Sequence, residues 1–276
     1  MKEKAYNVTI KGITKYLAEG KRYDGREPFD YRDIVVETNI SQHAEGSVRV
    51  KVGKTEVLAG IKMSLQEPYP DHSDEGTMMT GMEMLPLSNP AFDYGPPTVQ
   101  AIETSRVIDR GIRESGFIDF NGLCIKEGEL VWNLFIDLAA INDDGNLLDV
   151  GALAALIALR VAKMPKFDEE TKKIIHGEFT ENGLPLDLEK MPITISTHKI
   201  GEKLLIDPCK DEELSTVERL TTEISSPKGS KEPMVNAMQK AGDEGMTIDE
   251  IDGAIMESGK IFKKLNDVIE TAVKNA

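Results

Sequence analysis

A chain of 276 residues carries 33 basic against 48 acidic side chains, a formal net charge of −15, with 40% apolar and 5% aromatic residues. That length supports a substantial core in one large or two modest domains, and the composition excludes collagenous, low-complexity and membrane classes. So acidic a field repels phosphodiester backbones at long range; composition alone points away from a nucleic-acid role, and any RNA contact has to be local.

No run approaches the roughly 18 apolar residues of a membrane span, and Met1 to Tyr6 lacks the apolar core of a signal peptide, so a cytoplasmic protein without membrane contact is expected. The two cysteines, Cys124 and Cys209, sit in apolar, strand-like surroundings outside any Cys-x-x-Cys pattern and are assigned to the core. His43, His72, His176 and His198 lack ligand spacing, so no metal and no cofactor is expected.

In chain order, Tyr6, Ile10, Ile13 and Leu17 fall at helical spacing before a stop at Gly20, which predicts an amphipathic opening helix over residues 1–19. Runs rich in β-branched residues follow at 34–38, 47–52 and 55–65, the last two joined by Gly53 and Lys54 as a tight hairpin. Residues 66–97 are dense in Pro, Gly, Asp, Ser and Met and read as a long connection. A helix is expected at about 97–115, then strands at 123–125 and 130–138 turning at 126–129. Residues 147–164 are apolar nearly all round, the mark of a buried helix at the centre of the fold. The polar stretch 165–191 reads as a connection or flap, and strands at 193–197, 203–206 and 217–224 precede a final helix that opens with Thr247 and Glu250 in capping-box spacing. The strand, hairpin, helix order occurs twice.

Three constellations could carry chemistry. On the helix at 97–115, Arg106, Arg110 and Arg113 share a face opposite Ala101, Ile108 and Ile112. Guanidinium groups donate paired hydrogen bonds to phosphate and stay charged, although the plainer reading of such a stripe is a solvated face neutralised by Glu103, Asp109 and Glu114. Asp143, Asp144, Gly145 and Asn146 precede the buried helix; a helix N-terminus attracts phosphate, but two adjacent carboxylates oppose it, and the string reads as a turn with Asn146 as cap. The third, Asp207 to Glu213, could bind metal or act in acid–base chemistry, yet such a loop is more often an exposed turn. No Gly-rich phosphate loop, Gly-x-Ser-x-Gly elbow or His-Glu-x-x-His is present.

The strings Tyr23-Asp24-Gly25-Arg26, Ala44 to Val48, Gly53 to Leu58 and Leu85 to Ser88 resemble the RNase PH family over nearly the whole chain. Within it, the stretch Glu103 to Arg113 and the stretch Asp143 to Asp149 resemble the catalytically silent ring subunits of archaeal exosomes. The resemblance implies an α+β architecture, the RNase PH-like duplicated β-α fold: a ribosomal protein S5 domain 2-like first part at 1–190 with the N-terminal helix, and a second β-α subdomain at 191–276. It implies a hexameric ring in which three copies alternate with three of a catalytic RNase PH-like paralogue as heterodimers. Single-stranded RNA enters through cap RNA-binding subunits, and the paralogue shortens it from the 3′ end with inorganic phosphate.

Active family members place a hydroxyl residue and an arginine after the glycine that opens the buried helix, where this chain has Asn146 and Leu147. They also carry an acidic pair spaced six apart in the later inter-strand loop, which here is expected to be broken after Glu213. The resemblance thus implies a subunit without catalytic residues, needed for assembly and RNA binding, with Arg106, Arg110 and Arg113 as RNA contacts. An independently active phosphorolytic exoribonuclease and a pure assembly scaffold are the rivals.

Overall fold

Strict alternation drives the first sheet. Val48, Val50 and Val52 of β2 (Gly46–Val52) and Val57, Ala59, Ile61 and Met63 of β3 (Thr55–Gln66) all turn one way and are buried, as expected for strands with one covered face. In a computed structural model that describes residues 5–168, 170–226 and 233–276, Gly53 and Lys54 form the two-residue loop between them, with Gly53 at φ 58°. Met1 to Lys4 and the side chain of His176 lie outside the described residues.

The larger sheet has the order β1 (Ile34–Thr38), β2, β3, β6 (Leu130–Asn142), β4 (Thr77–Met84), with β5 (Cys124–Lys126) also pairing β6. Every pairing in it is antiparallel except β4 with β6. Strand β4 corrects the expectation of an irregular connection over 66–97. Met and Gly have weak strand propensity, but Met78, Met82 and Met84 are buried and the backbone pairs with β6 throughout, so tertiary pairing decides.

The second sheet runs β10 (Lys203–Ile206), β9 (Ile193–Ile200), β11 (Glu218–Ser225), β12 (Met234–Gly242), all antiparallel. Strand β12 was not among the expected strands; it is an edge strand of mixed burial whose interior-facing residues are few. Helix α3 (Leu147–Val161), buried from Leu147 to Leu159, packs on β2 and β3 of one sheet and β9 of the other. One apolar core runs through both sheets, α3 and α5 (Ile248–Lys274). Thr247 and Glu250 form the expected capping box on α5. Helix α1 (Asn7–Ala18) covers a small separate cluster of Ile13, Leu17, Ile200 and Leu205.

The 165–191 stretch is more regular than expected: β7 (Lys163–Asp168) and β8 (Lys173–Gly183) pair as a separate hairpin. Phe167 anchors it edge-on to Trp132, with centroids 5.9 Å apart. Both cysteines are free and half-buried, and Cys209 precedes the short helix α4 (Lys210–Leu214) instead of lying in a strand. Burial and the adjacent Glu212 push its thiol up to about 11.

Candidate nucleic-acid interface

Helix α2 (Val99–Ser115) starts where Thr98 Oγ1 accepts the Ala101 N–H and ends at Gly116 in the left-handed region, φ 68°. It lies over β4 and β12. Ala101, Thr104, Val107, Ile108, Gly111, Ile112 and Ser115 face inward, so Arg106, Arg110 and Arg113 are all exposed. The expected neutralising partners are only partly there. Glu103 is drawn off the helix by Arg219 of β11, 2.5 Å away, and among the described residues neither Arg106 nor Arg110 has a hydrogen bond or ion pair.

Arg113 differs. Its guanidinium pairs with Asp109 at 3.1 Å, donates to the Met78 carbonyl at 3.1 Å and lies 5.6 Å from the Phe120 ring centre. Arg110 stands at the rim of a small cleft between α2 and β11–β12, lined further by Thr221, Glu223 and Gln239. Glu223 is buried; Thr194 Oγ1 donates to its Oε2 at 2.5 Å while Oε1 has no partner. Burial, only partly offset by Thr194, pushes its carboxyl up to about 8.

The turn before α3 converges with the 207–213 loop. Asn146 occupies the N-cap position at φ 62°, but its side chain caps nothing; Nδ2 donates to Asp207 Oδ1 at 2.9 Å and its backbone N–H donates to Glu213 Oε1 at 3.0 Å. Asp143 accepts from Lys210 at 2.7 Å and from Asn89 at 2.8 Å. Gly145 must be glycine, because its φ is 85° and a Cβ would lie 2.7 Å from the Pro208 carbonyl oxygen.

Two expectations are corrected here. The 207–213 loop is no exposed turn: Asp207 and Glu212 are fully buried. They are gripped by three guanidiniums, of which only Arg26 carried an expectation, as part of the family-like string Tyr23-Asp24-Gly25-Arg26. Arg22 pairs with Glu212 at 2.5 Å and donates to the Asp207 carbonyl at 2.9 Å; Arg26 and Arg32 pair with the Asp207 carboxylate at 2.9 and 2.7 Å. Burial alone would raise the Asp207 carboxyl, but Arg32 outweighs it and holds it below the usual carboxylate range. Nor is the acidic pair broken, since Asp207 and Glu213 stand six residues apart and both address Asn146.

Deeper in, Asp149 of α3 accepts from Ser196 Oγ at 2.6 Å, the Ser196 N–H at 2.9 Å and Tyr31 OH at 3.1 Å. Burial lifts it to about 6 in spite of those donors. Among the described residues, no group of three or more His, Cys, Asp and Glu side chains could hold a metal ion, and no helix is long and apolar enough to cross a membrane.

This geometry accompanies a clear kinship. The model of the 3′ exoribonuclease (RNase PH) family, domain 1, matches residues 30–165. The exosome complex component Rrp42 of Methanosarcina acetivorans is 44% identical over 254 residues, covering 92% of this chain and 87% of the relative. The chain belongs to the RNase PH family. The Rrp42 component of Thermococcus onnurineus is 41% identical, over 93% of this chain and 94% of its own. Among solved structures in this family, a subunit of the Archaeoglobus fulgidus exosome with RNA bound to the active site superposes with a TM-score of 0.85 at 36% identity, covering 95% of this chain and 97% of that one. An archaeal exosome core subunit gives 0.81 at 34% identity, covering 96% and 97%. The RNase PH-like α+β fold is thereby established.

Proposed function

We propose that this chain is a ring subunit of an archaeal exosome that performs no phosphorolysis itself. It holds single-stranded RNA for a catalytic RNase PH-family paralogue. Its relatives are named as exosome components and its structural neighbours are exosome subunits, one of them with RNA bound. The observation that carries the RNA grip is the pair of uncompensated guanidiniums, Arg106 and Arg110, on one exposed face of an otherwise acidic chain. Arg113 flanks this grip and, already engaged, adds charge to the face more than a contact of its own.

Catalytic silence is supported by the turn before α3. No hydroxyl or guanidinium follows Gly145, and the Asn146 N–H that could face an anion is taken by Glu213. Asp207, the other member of the acidic pair, is committed to Arg26, Arg32 and Asn146. Nothing is then left to position a phosphate nucleophile. The three-by-three hexamer, the cap RNA-binding subunits as partners, the cytoplasmic location and a division into subdomains near residue 190 belong to the same proposal.

The test is phosphate-dependent release of nucleoside diphosphates from RNA by this chain alone, by the paralogue alone and by the mixture. Activity confined to the mixture, or much enhanced in it, is expected. Release by this chain alone overturns the reading.

A further inference from the structure

Arg106 has an acid on either side of it along α2, Glu103 three residues before and Asp109 three residues after, and both spacings bring side chains together on a helix surface. Neither acid pairs with it. Asp109 is held by Arg113 at 3.1 Å and accepts from Thr80 Oγ1 at 3.3 Å. Glu103 is held at 2.5 Å by Arg219, which stands on β11 of the second sheet.

Arg219 has no other acid to pair with among the described residues, and its Nε is buried without a partner. Across the strands it faces Ala241 of β12 and His198 of β9. His198 is buried and neutral, because burial first and then the charge of Arg219 push its imidazole down to about 3. The Arg219 and Glu103 side chains are 23% and 37% exposed. They attract each other through less water than Glu103 and the exposed Arg106 would on the helix surface, so the longer-range pair wins the carboxylate.

We propose that Arg219 is a positioning residue for the RNA grip: it draws Glu103 away from Arg106 and keeps that guanidinium free for phosphate, without touching RNA itself. The proposal rests on the grip reading above and extends it to a residue of the second sheet. Without Arg219 the Glu103 carboxylate falls back onto Arg106, where it competes with phosphate for the guanidinium and repels phosphate directly.

The test measures RNA affinity of the assembled ring by fluorescence anisotropy for wild type, Arg219→Ala, Glu103→Gln and the double variant Arg219→Ala/Glu103→Gln. Arg106→Ala/Arg110→Ala serves as reference. Both single changes break the same ion pair, so a loss caused by looser packing of α2 on the second sheet appears in both. Expected for Arg219→Ala is affinity weaker by about three- to tenfold, with a shallower salt dependence. Glu103→Gln should bind as wild type or tighter, and the double variant should return to within about twofold of Glu103→Gln. Arg219→Gln, which keeps the length of the side chain without its charge, should behave as Arg219→Ala and replaces it if the alanine variant assembles poorly. Wild-type affinity in the Arg219 variants, a loss in Glu103→Gln, or a loss that the double variant does not recover overturns the role of Arg219. The grip itself then still stands if the reference variant binds RNA weakly, whereas a reference variant that binds as wild type overturns both.

Discussion

The side-chain amide of Asn146 donates to Asp207 Oδ1 at 2.9 Å, tying the turn before the buried helix to the end of strand β10. Asp207 in turn is the anchor of three arginines, Arg22 on its carbonyl and Arg26 and Arg32 on its carboxylate. Removing its carboxylate leaves Arg26 and Arg32, both largely buried, with only the more exposed Asp24 and Asp144 as counter-charges. Asp207→Ala is therefore expected to cost roughly 3–5 kcal/mol, read as a lower urea midpoint; a loss under about 1 kcal/mol would equate the cluster with a surface ion pair. The folded carboxyl titrates below its ordinary value of 3.8. Its contribution is thus complete above that pH and fades as pH falls through the lower folded value.

The RNA grip separates the three arginines of α2. Arg106→Ala with Arg110→Ala removes two free guanidiniums, each worth roughly 1.5–3 kcal/mol if it bonds phosphate. In the assembled ring, RNA affinity measured by fluorescence anisotropy should fall by about a hundredfold or more, and the salt dependence should become shallower. Ring assembly should survive. Arg113→Ala loses a local pairing with Asp109 and contact with Phe120, so it should lower stability by about 0.5–1 kcal/mol and change RNA affinity far less. An unchanged affinity in the double variant would remove RNA from the role of this helix.

Gly145→Ala tests the closure of the turn on the 207–213 loop. The new Cβ would stand 2.7 Å from backbone atoms of Pro208 and Cys209, at a φ of 85°. A loss of roughly 1–3 kcal/mol is expected from the strained backbone and the displaced loop, and a denaturation midpoint equal to wild type would show that the loop yields freely.

What the sequence made legible divides along burial. Helices α1, α2 and α5 and the alternating strands β1 to β3 were readable because one face is apolar at a fixed period, and α3 because it is apolar all round. Strand β4 was hidden because its inward residues are methionines beside Gly81. Strand β12 was hidden because an edge strand buries little. The arginine face of α2 followed from helical geometry, but the freedom of Arg106 did not, since it depends on Glu103 being captured by Arg219, 116 residues away. The same holds for Arg22 and Arg32, whose partners lie about as far along the chain or farther. Spacing alone carries no record of such pairings.

Glu223 gives the fold a pH dependence that can be isolated. Its carboxyl faces Gly111 of α2, with Arg110 at the cleft rim, Thr194 as donor from β9 and Asp149 as the nearest acid, on α3. In the folded protein it titrates at about 8 against an ordinary 4.5, so the folded state holds a proton that the unfolded chain releases. Stability should accordingly fall as pH rises from about 4.5 through 8 and level off above. Asp149, lifted to about 6, acts in the same direction, and the two titrate as an interacting pair. Glu223→Gln keeps an acceptor for Thr194 and cannot ionise. Relative to wild type it should be neutral near pH 4.5 and more stable by up to roughly 5 kcal/mol near pH 9, at about 1.4 kcal/mol per tenfold shift in protonation. Urea midpoints at pH 5, 7 and 9 measure this difference, and parallel pH profiles for the two proteins would show that Glu223 is ionised throughout.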